Sequence, residues 1–380
     1  MLLHILSVAG GAAMVGAVLL SALQTVVLPK GGLTAITRFV FASADRLFIR
    51  RRGLPARFGW EGLYAPVSLV MLPLAWAILV TVGFGLVFWG FDYGTLTDSM
   101  AVSGSSLFTL GFVKPEGGGL IALTFLEALI GLGLVALLIS FLPTLYSAYS
   151  EREKGVGLLR PLMGVPPSAI ELIRRTKSAR ALTSVSVWGP VSAWFASLEQ
   201  SHTAFPSLCS FPAQVEDHSW VVSAGVVLDS AALLVSCLPE GDIDHVPEFM
   251  MVLAHGTSAI SRVAAAAGLP VEQARPLADV VAQDASEVDI AVGRAEFDDA
   301  VAAMRESDVE LRTDLDAAWN MFRLIRDSYE DAVLGLAGLT HAPPAPWTSD
   351  RSFTVGRPHF FGSRPLTIVR TPGSPSTPGP

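Results

Sequence analysis

Three apolar runs, each about as long as a bilayer crossing, constrain this chain more than any other feature. They cover residues 5–28, 64–88 and 119–142, and the only charged residue among them is Glu127. Because about 20 consecutive apolar residues let a helix cross the hydrocarbon of a bilayer, the sequence predicts three transmembrane helices. A signal peptide is the alternative for the first run. The preceding Met-Leu-Leu-His has no basic residue, so a retained helix is favoured.

The distribution of charge divides the chain into a membrane part, a soluble part and a tail. Residues 1–143 contain 8 Lys/Arg and 6 Asp/Glu, whereas residues 144–340 contain 14 and 27. An acidic domain of this kind argues against a nucleic acid partner, since phosphate neutralisation needs basic side chains. Residues 341–380 hold 9 of the 25 prolines, which predicts a mostly disordered Pro-rich tail.

The basic linker between the first two runs predicts the topology. Helix 1–29 is followed by linker 30–62, which has seven Lys/Arg and one Asp among residues 30–57. The positive-inside bias places this linker in the cytoplasm, the N-terminus outside and the C-terminus in the cytoplasm of a multi-pass cell-membrane protein. Apolar spacing within 33–48 predicts an interfacial helix. The next three residues, Arg50, Arg51 and Arg52, are either contacts to anionic lipids or a plain topology signal.

The stretch between the second and third runs is predicted to form a pore loop over residues 95–115. In it, a short helix ends in Thr109-Leu110-Gly111-Phe112. Non-helical backbone at membrane depth survives only where protein buries it or where it lines a wet cavity. With its two flanking runs, over residues 63–143, the stretch resembles the pore domain of potassium channels, whose filters read Thr-Val-Gly-Tyr/Phe-Gly.

That resemblance implies a selectivity filter and an oligomer. Backbone carbonyls of Thr109, Leu110, Gly111, Phe112 and Val113 would replace the water shell of a monovalent cation, most simply K⁺, and no other cofactor is implied. Each chain supplies one loop, so a ring of four implies a homotetramer. The expected fold is an all-α membrane protein with three transmembrane helices and a re-entrant pore loop, plus an all-α cytosolic domain.

Two residues depart from the potassium-channel pattern. Val113 replaces the second filter glycine, and a β-branched residue is disfavoured in a left-handed conformation. Lys114 replaces the acid that usually follows, and at the outer mouth it would repel cations unless it pairs with an acid such as Asp98, Glu116 or Glu127. A non-conducting membrane scaffold or sensor with a pore fold is therefore the alternative function.

Support for the loop is expected from the polar residues around it. A carboxylate inside a membrane is a functional hypothesis by default. Glu127 is expected to brace the loop through Ser105, Ser106 or the loop amides, and ion coordination is the less favoured alternative. Gly131 and Gly133 are either a gating hinge, at a position similar to that in potassium channels, or small residues that allow close helix packing.

The soluble part, residues 144–340, reads as helices. Residues 147–172 and 198–203 resemble the post-channel segments of actinobacterial ion-channel-domain proteins, which implies a cytosolic domain that gates or assembles the channel. Residues 219–238 are apolar enough for a fourth span. Asp229 at their centre favours the buried helix of a soluble domain instead.

No metal site or catalytic group is strongly indicated. Asp242, Asp244 and His245 are weak candidates for a divalent cation. Glu199 and His202 share a helix face, which for the histidine favours a hydrogen-bonded role. The cysteines, Cys209 and Cys237, are expected to be small core residues in a reducing compartment. No nucleophile–base spacing appears, so an enzyme is not predicted.

Overall fold

The computed structural model describes residues 1–26, 36, 39, 60–211, 213, 218–239 and 246–351, and its regular structure there is helical throughout. The chain forms two compact units, Met1–Ser147 and Ala148–Pro380, which are described separately below. The boundary between them lies four residues after the predicted end of the pore module at residue 143.

Among the described residues of the first unit, there are three complete helices and the beginning of a fourth. They are α1 (Leu2–Val26), α2 (Trp60–Gly90), α3 (Leu96–Leu107) and α4 (Gly118–Met163), of which residues 118–147 belong to this unit. At 12 residues, α3 is too short to cross a bilayer, whereas α1, α2 and α4 exceed the required length.

Close packing of α1 against α2 depends on glycine. A Cβ atom on Gly11 would overlap the carbonyl oxygen of Gly83, and one on Gly83 would lie 2.7 Å from a methyl group of Val15. Small residues let the backbones of apolar helices approach, which is the main source of helix–helix attraction in lipid. Around the contact lies an apolar core that includes Val18, Val80 and other buried residues of these helices.

The second unit is an all-helical domain built around one central helix. After residues 148–163 of α4 come α5 (Ala169–Ser178), α6 (Val185–Ala204), α7 (Trp220–Cys237), α8 (Val246–Ala266), α9 (Leu277–Val281), α10 (Arg294–Glu306) and α11 (Leu315–Thr340), with short 3₁₀ turns at Pro206–Ser210, Ala285–Glu287 and Ser349–Arg351. The Ser168 hydroxyl accepts a hydrogen bond from the Glu171 amide and caps α5, and in the sequence Ser168 follows Pro166 and Pro167.

Helix α7 is enclosed by its own unit. All of its side chains except that of Val235 are buried, and Asp229 in the middle pairs with Arg326 of α11. A helix that is apolar on every face is either the core of a globular domain or a membrane span. Its burial within the unit matches the buried-helix interpretation of residues 219–238.

Among the described residues, five helices are long and apolar enough to cross a membrane. Their apolar segments are Leu2–Thr25, Met71–Gly90, Gly118–Met163, Trp220–Cys237 and Pro247–Ala266. Three of these segments lie in or begin in the first unit and two lie in the second, which is consistent with a membrane protein.

The beginning of the predicted tail packs on the second unit. Arg326 donates a hydrogen bond to the carbonyl of Trp347, and Arg351 pairs with Glu296 on α10. Thr348 is fully buried beside Gly225 of α7. The contacts made by the tail thus begin before residue 351, and residues 352–380 lie outside the described part.

Candidate functional site

The start of α3 is set by a reciprocal cap. Thr95 adopts an extended conformation, and its hydroxyl accepts a hydrogen bond from the Asp98 amide at 3.3 Å. The Asp98 carboxylate accepts in return from the Thr95 amide at 2.9 Å. Such a capping box satisfies two amides that the helix leaves unpaired and fixes where it begins. Asp98, predicted at the outer mouth, is exposed but committed to this cap.

The loop after α3 folds back onto the end of that helix. The Ser105 carbonyl accepts hydrogen bonds from the amides of Leu110 at 2.8 Å and Gly111 at 3.4 Å. The Ser105 hydroxyl accepts a third from the Val113 amide at 3.3 Å. One nearly inaccessible serine therefore holds the whole stretch from residue 110 to residue 113.

The loop backbone uses the left-handed region twice. Thr109 has a φ of 52° and Gly111 a φ of 69°. Glycine reaches this region without penalty, whereas threonine does so at a cost, so Thr109 is the strained position. Val113 keeps a negative φ and packs, half-buried, against the apolar core of the unit. The sequence predicts the left-handed glycine but not the left-handed threonine.

Glu127 contacts α3 through Ser103, which is not among the partners predicted from the sequence. Its buried carboxyl group is hydrogen-bonded to Ser103, whose hydroxyl also lies 2.8 Å from the Thr81 carbonyl of α2. A hydroxyl has one proton to donate, so both bonds form together only when a protonated Glu127 donates to Ser103. The network then joins α2, α3 and α4 through an uncharged acid.

The other expected partners of Glu127 lie elsewhere. The Ser106 hydroxyl donates to the Val102 carbonyl of its own helix, and Ser105 holds the loop. Lys114 is exposed and forms no ion pair in the described part of the chain. Since Ser99 and Ser103 share the buried face of α3, their spacing of four is the signal that points to Ser103.

The two glycines of α4 have different surroundings. A Cβ atom on Gly131 would overlap the carbonyl oxygen of Leu107 at the end of α3, while one on Gly133 would meet nothing within 4 Å. Helix α4 is continuous through both residues. Gly131 therefore has the close-packing role, because it lets α4 approach the end of α3.

The arrangement leaves the loop tip open on one side. Phe108, Leu110 and Phe112 are each more than half exposed in the single chain. A contiguous exposed apolar segment of this kind is typical of a surface that contacts another protein or a membrane. The polar groups of the loop are its backbone carbonyls and the Thr109 hydroxyl.

A second polar cluster lies inside the other unit. Arg152 is buried, pairs with Glu153 and donates to the carbonyls of Leu208 and Phe211. Its guanidinium lies 5.8 Å from the ring of Trp220, and that ring packs against His202. Burial, reinforced by the charge of Arg152, lowers the pKa of His202 to about 3. This histidine is therefore neutral at physiological pH.

The remaining candidates do not assemble into a site. Glu199 pairs with Arg262 on α8 and not with His202. No group of three or more potential metal ligands occurs among the described residues. The weak metal candidates Asp242, Asp244 and His245, and the basic trio Arg50, Arg51 and Arg52, lie outside those residues. Burial raises the pKa of the Cys209 and Cys237 thiols to about 12, as in inert core cysteines.

One serine–histidine pair is close enough for proton transfer. The Ser192 hydroxyl and Nδ1 of exposed His255 are 2.5 Å apart, between α6 and α8. No carboxylate contacts His255 in the described structure, and Ser192 lies within a helix without converging amide donors around it. The pair is a polar contact between helices.

Comparison with known proteins gives no relative for this chain: no family model, no curated protein and no solved structure matches it.

Proposed function

We propose that the protein is a homotetrameric, potassium-channel-like cation channel of the cell membrane. Helices α1, α2 and α4 would be its three spans, and α3 with residues 108–113 its re-entrant loop. The observation that carries the proposal is the loop itself, which Ser105 folds back at the end of a helix too short to span. This geometry leaves Gly111 left-handed between two helices of membrane length.

Four loops around one axis would complete the filter. A ring of carbonyls can replace the hydration shell of a cation, and a closed cyclic assembly supplies the ring. The exposed apolar tip at Phe108, Leu110 and Phe112 would be covered in that assembly. The permeant ion is a monovalent cation, with K⁺ as the first choice.

The topology and the role of the second unit complete the proposal. The positive charge of the linker supports an N-terminus outside and an acidic second unit in the cytoplasm. Buried α7 belongs to the core of that unit, where it is paired through Asp229 and Arg326. The cytosolic unit would gate or assemble the pore.

The outer half of the loop favours a second candidate, a non-conducting scaffold or sensor. Val113 keeps a negative φ and packs into the core instead of extending a filter. Lys114 has no acidic partner in the described part of the structure, so four copies would place unpaired positive charge at the mouth. Both features oppose cation entry.

Recording from the purified protein in planar bilayers separates the two candidates. Gradients of K⁺, Na⁺ and Cl⁻ are applied to the wild type and to Gly111→Ala and Gly104→Ala variants. Gly111→Ala strains a left-handed residue by roughly 1 kcal/mol per chain, so it should abolish the current. Gly104→Ala is the control, because its Cβ atom would meet only a methyl group of Thr81, at 4.0 Å. Silence of an intact wild-type tetramer would favour the scaffold.

The outer half of the loop is tested by a double substitution. Val113→Gly with Lys114→Asp restores a flexible position and an acidic mouth, so the K⁺ preference over Na⁺ should rise. Reversal potentials in mixed K⁺ and Na⁺ measure that preference. An unchanged reversal potential in a double variant that assembles and conducts would show that the similarity to potassium channels ends at Phe112.

A further inference from the structure

The start of the second unit carries a surface that we propose binds the anionic headgroups of a lipid bilayer. This basic surface consists of Arg160, near the end of α4, Arg174, Arg175 and Lys177 on α5, and Arg180 just after it. The proposal concerns the second unit and does not depend on whether the protein conducts ions.

Charge in the second unit is strongly segregated along the chain. Residues 144–180 contain 7 Lys/Arg and 3 Asp/Glu, whereas residues 181–340 contain 7 and 24. A negatively charged surface would attract the first segment and repel the second. A unit with this asymmetry therefore has a preferred orientation beside an anionic membrane.

The fold gathers the basic residues onto one face. Helix α5 buries Leu172, Ile173 and Thr176, so its charged residues occupy the opposite arc. The side chain of Arg175 donates a hydrogen bond to the Pro161 carbonyl at 2.7 Å, which ties α5 to the end of α4 beside Arg160. Two separate stretches of sequence thus contribute to a single surface.

Most of the positive charge on this surface is unneutralised. Glu171 pairs with both Arg174 and Arg175 and cancels one of their two charges. Arg160, Lys177 and Arg180 form no ion pair within the described part of the protein. The net charge of the surface is therefore +4, and its free ammonium and guanidinium groups are available to phosphate.

The position of the surface in the chain fits a bilayer partner. The third apolar run ends at residue 142, no charged residue follows until Glu151, and Arg160 is the basic residue of this surface that comes first in the sequence after that run. Clusters of four or more basic residues just beyond a span favour anionic lipid by roughly 1 kcal/mol per residue.

The test uses the full-length protein in lipid nanodiscs. Ser178, exposed between the basic residues, is changed to Cys and labelled with a fluorophore. Cys209 and Cys237 are buried and remain unlabelled. Quenching by a headgroup spin-labelled lipid reports contact with the membrane surface. It should rise several-fold when about a third of the phosphatidylcholine is replaced by phosphatidylglycerol, and fall again near 1 M salt, where the Debye length is ~3 Å.

Two matched triple variants identify the charges responsible. Arg174→Gln with Lys177→Gln and Arg180→Gln should lose the dependence on phosphatidylglycerol. The control, Arg262→Gln with Arg275→Gln and Arg305→Gln, removes equal charge from exposed positions elsewhere in the unit and should retain it. If the first triple misfolds, Arg174→Lys with Arg180→Lys keeps the charge and should bind as the wild type does. Equal quenching with and without phosphatidylglycerol, or equal loss in both triples, would overturn the proposal.

Discussion

Both units bury a carboxyl group in the middle of an apolar helix, and they stabilise it in opposite ways. Glu127 of α4 contacts only the hydroxyl of Ser103, and no cation reaches it in the described structure. Asp229 of α7 has an arginine, Arg326, and the hydroxyl of Tyr329, which donates at 2.7 Å. The first arrangement suits an uncharged acid, and the second suits an ion pair.

The difference follows from what surrounds each helix. A folded domain can enclose an ion pair when further groups satisfy the remaining hydrogen bonds. Arg326 also donates hydrogen bonds to Glu330 and to the Trp347 carbonyl, so each of its three nitrogens has a partner. Burial alone would lower the pKa of Arg326, but Asp229 and Glu330 more than offset this and raise it. Within a membrane span, an unpaired charge is costly, whereas a protonated carboxyl group is uncharged and needs only one hydrogen-bond acceptor.

The largest expected effect is the loss of Arg326. Arg326→Met leaves Asp229 and Glu330 buried without their cation, which should destabilise the second unit by roughly 3–5 kcal/mol. Hydrogen exchange of the α7 amides in the full-length protein measures this. Arg323→Met, on the same helix but only partly buried, is the control. Unchanged protection of α7 in Arg326→Met would show that the ion pair does not stabilise this core.

Substitutions of Glu127 test the opposite arrangement. Glu127→Gln keeps a donor to Ser103 and should be tolerated, whereas Glu127→Ala removes the group and should cost about 1–3 kcal/mol. The thermal stability of the full-length protein in mild detergent distinguishes the two variants. If the glutamine variant is as damaged as the alanine variant, the native side chain is a carboxylate, and the contrast between the two units disappears.

A smaller effect concerns pH and belongs to the second unit. His202 has a pKa of about 3 in the fold and roughly 6.5 when unfolded, so the unfolded chain binds an extra proton between these values. The contribution of His202 to the free energy of unfolding is then complete above pH 6.5. It decreases on acidification by up to ~1.4 kcal/mol per pH unit. His202→Gln should flatten that slope in the exchange of α7 amides. Parallel slopes in the two proteins would contradict the buried, neutral state of His202.

The sequence predicts most of the helices but not their contacts. The Pro-Pro-Ser start of α5 and the burial of α7 follow from caps, periodicity and a central acid, all of which are local signals. The choice of Ser103 over Ser105 and Ser106 as the partner of Glu127 depends on how α3 is rotated between its neighbours. Periodicity predicts which face of α3 is buried. Packing against the neighbouring helices then determines which serine on that face contacts Glu127.

Pairings between distant residues are the least predictable part. Asp229 and Arg326 are 97 positions apart, and nothing in the spacing of either one indicates the other. The same holds for the contact of Gly131 with the Leu107 carbonyl, since the sequence favours a hinge there as readily as close packing. Both contacts follow from the tertiary fold. In the sequence, their only sign is a lone charge or a glycine within an apolar run.

The smallest expected effect concerns the helix caps of the two units. It tests whether the units differ elsewhere than at their buried carboxyl groups. Thr95 caps α3 in the first unit and Ser168 caps α5 in the second, each through a side-chain oxygen that accepts from the amide three residues on. Thr95→Ala and Ser168→Ala should each cost ~1 kcal/mol, because a cap at an exposed helix start depends on local geometry and not on the surrounding medium. Thermal unfolding of each unit, followed by exchange of its own amides, measures the two costs, with Thr95→Ser and Ser168→Thr as controls that keep the hydroxyl. A cost at Thr95 several times that at Ser168 would mean that the cap also fixes the loop after α3, and the contrast between the units would then extend from their cores to their helix ends.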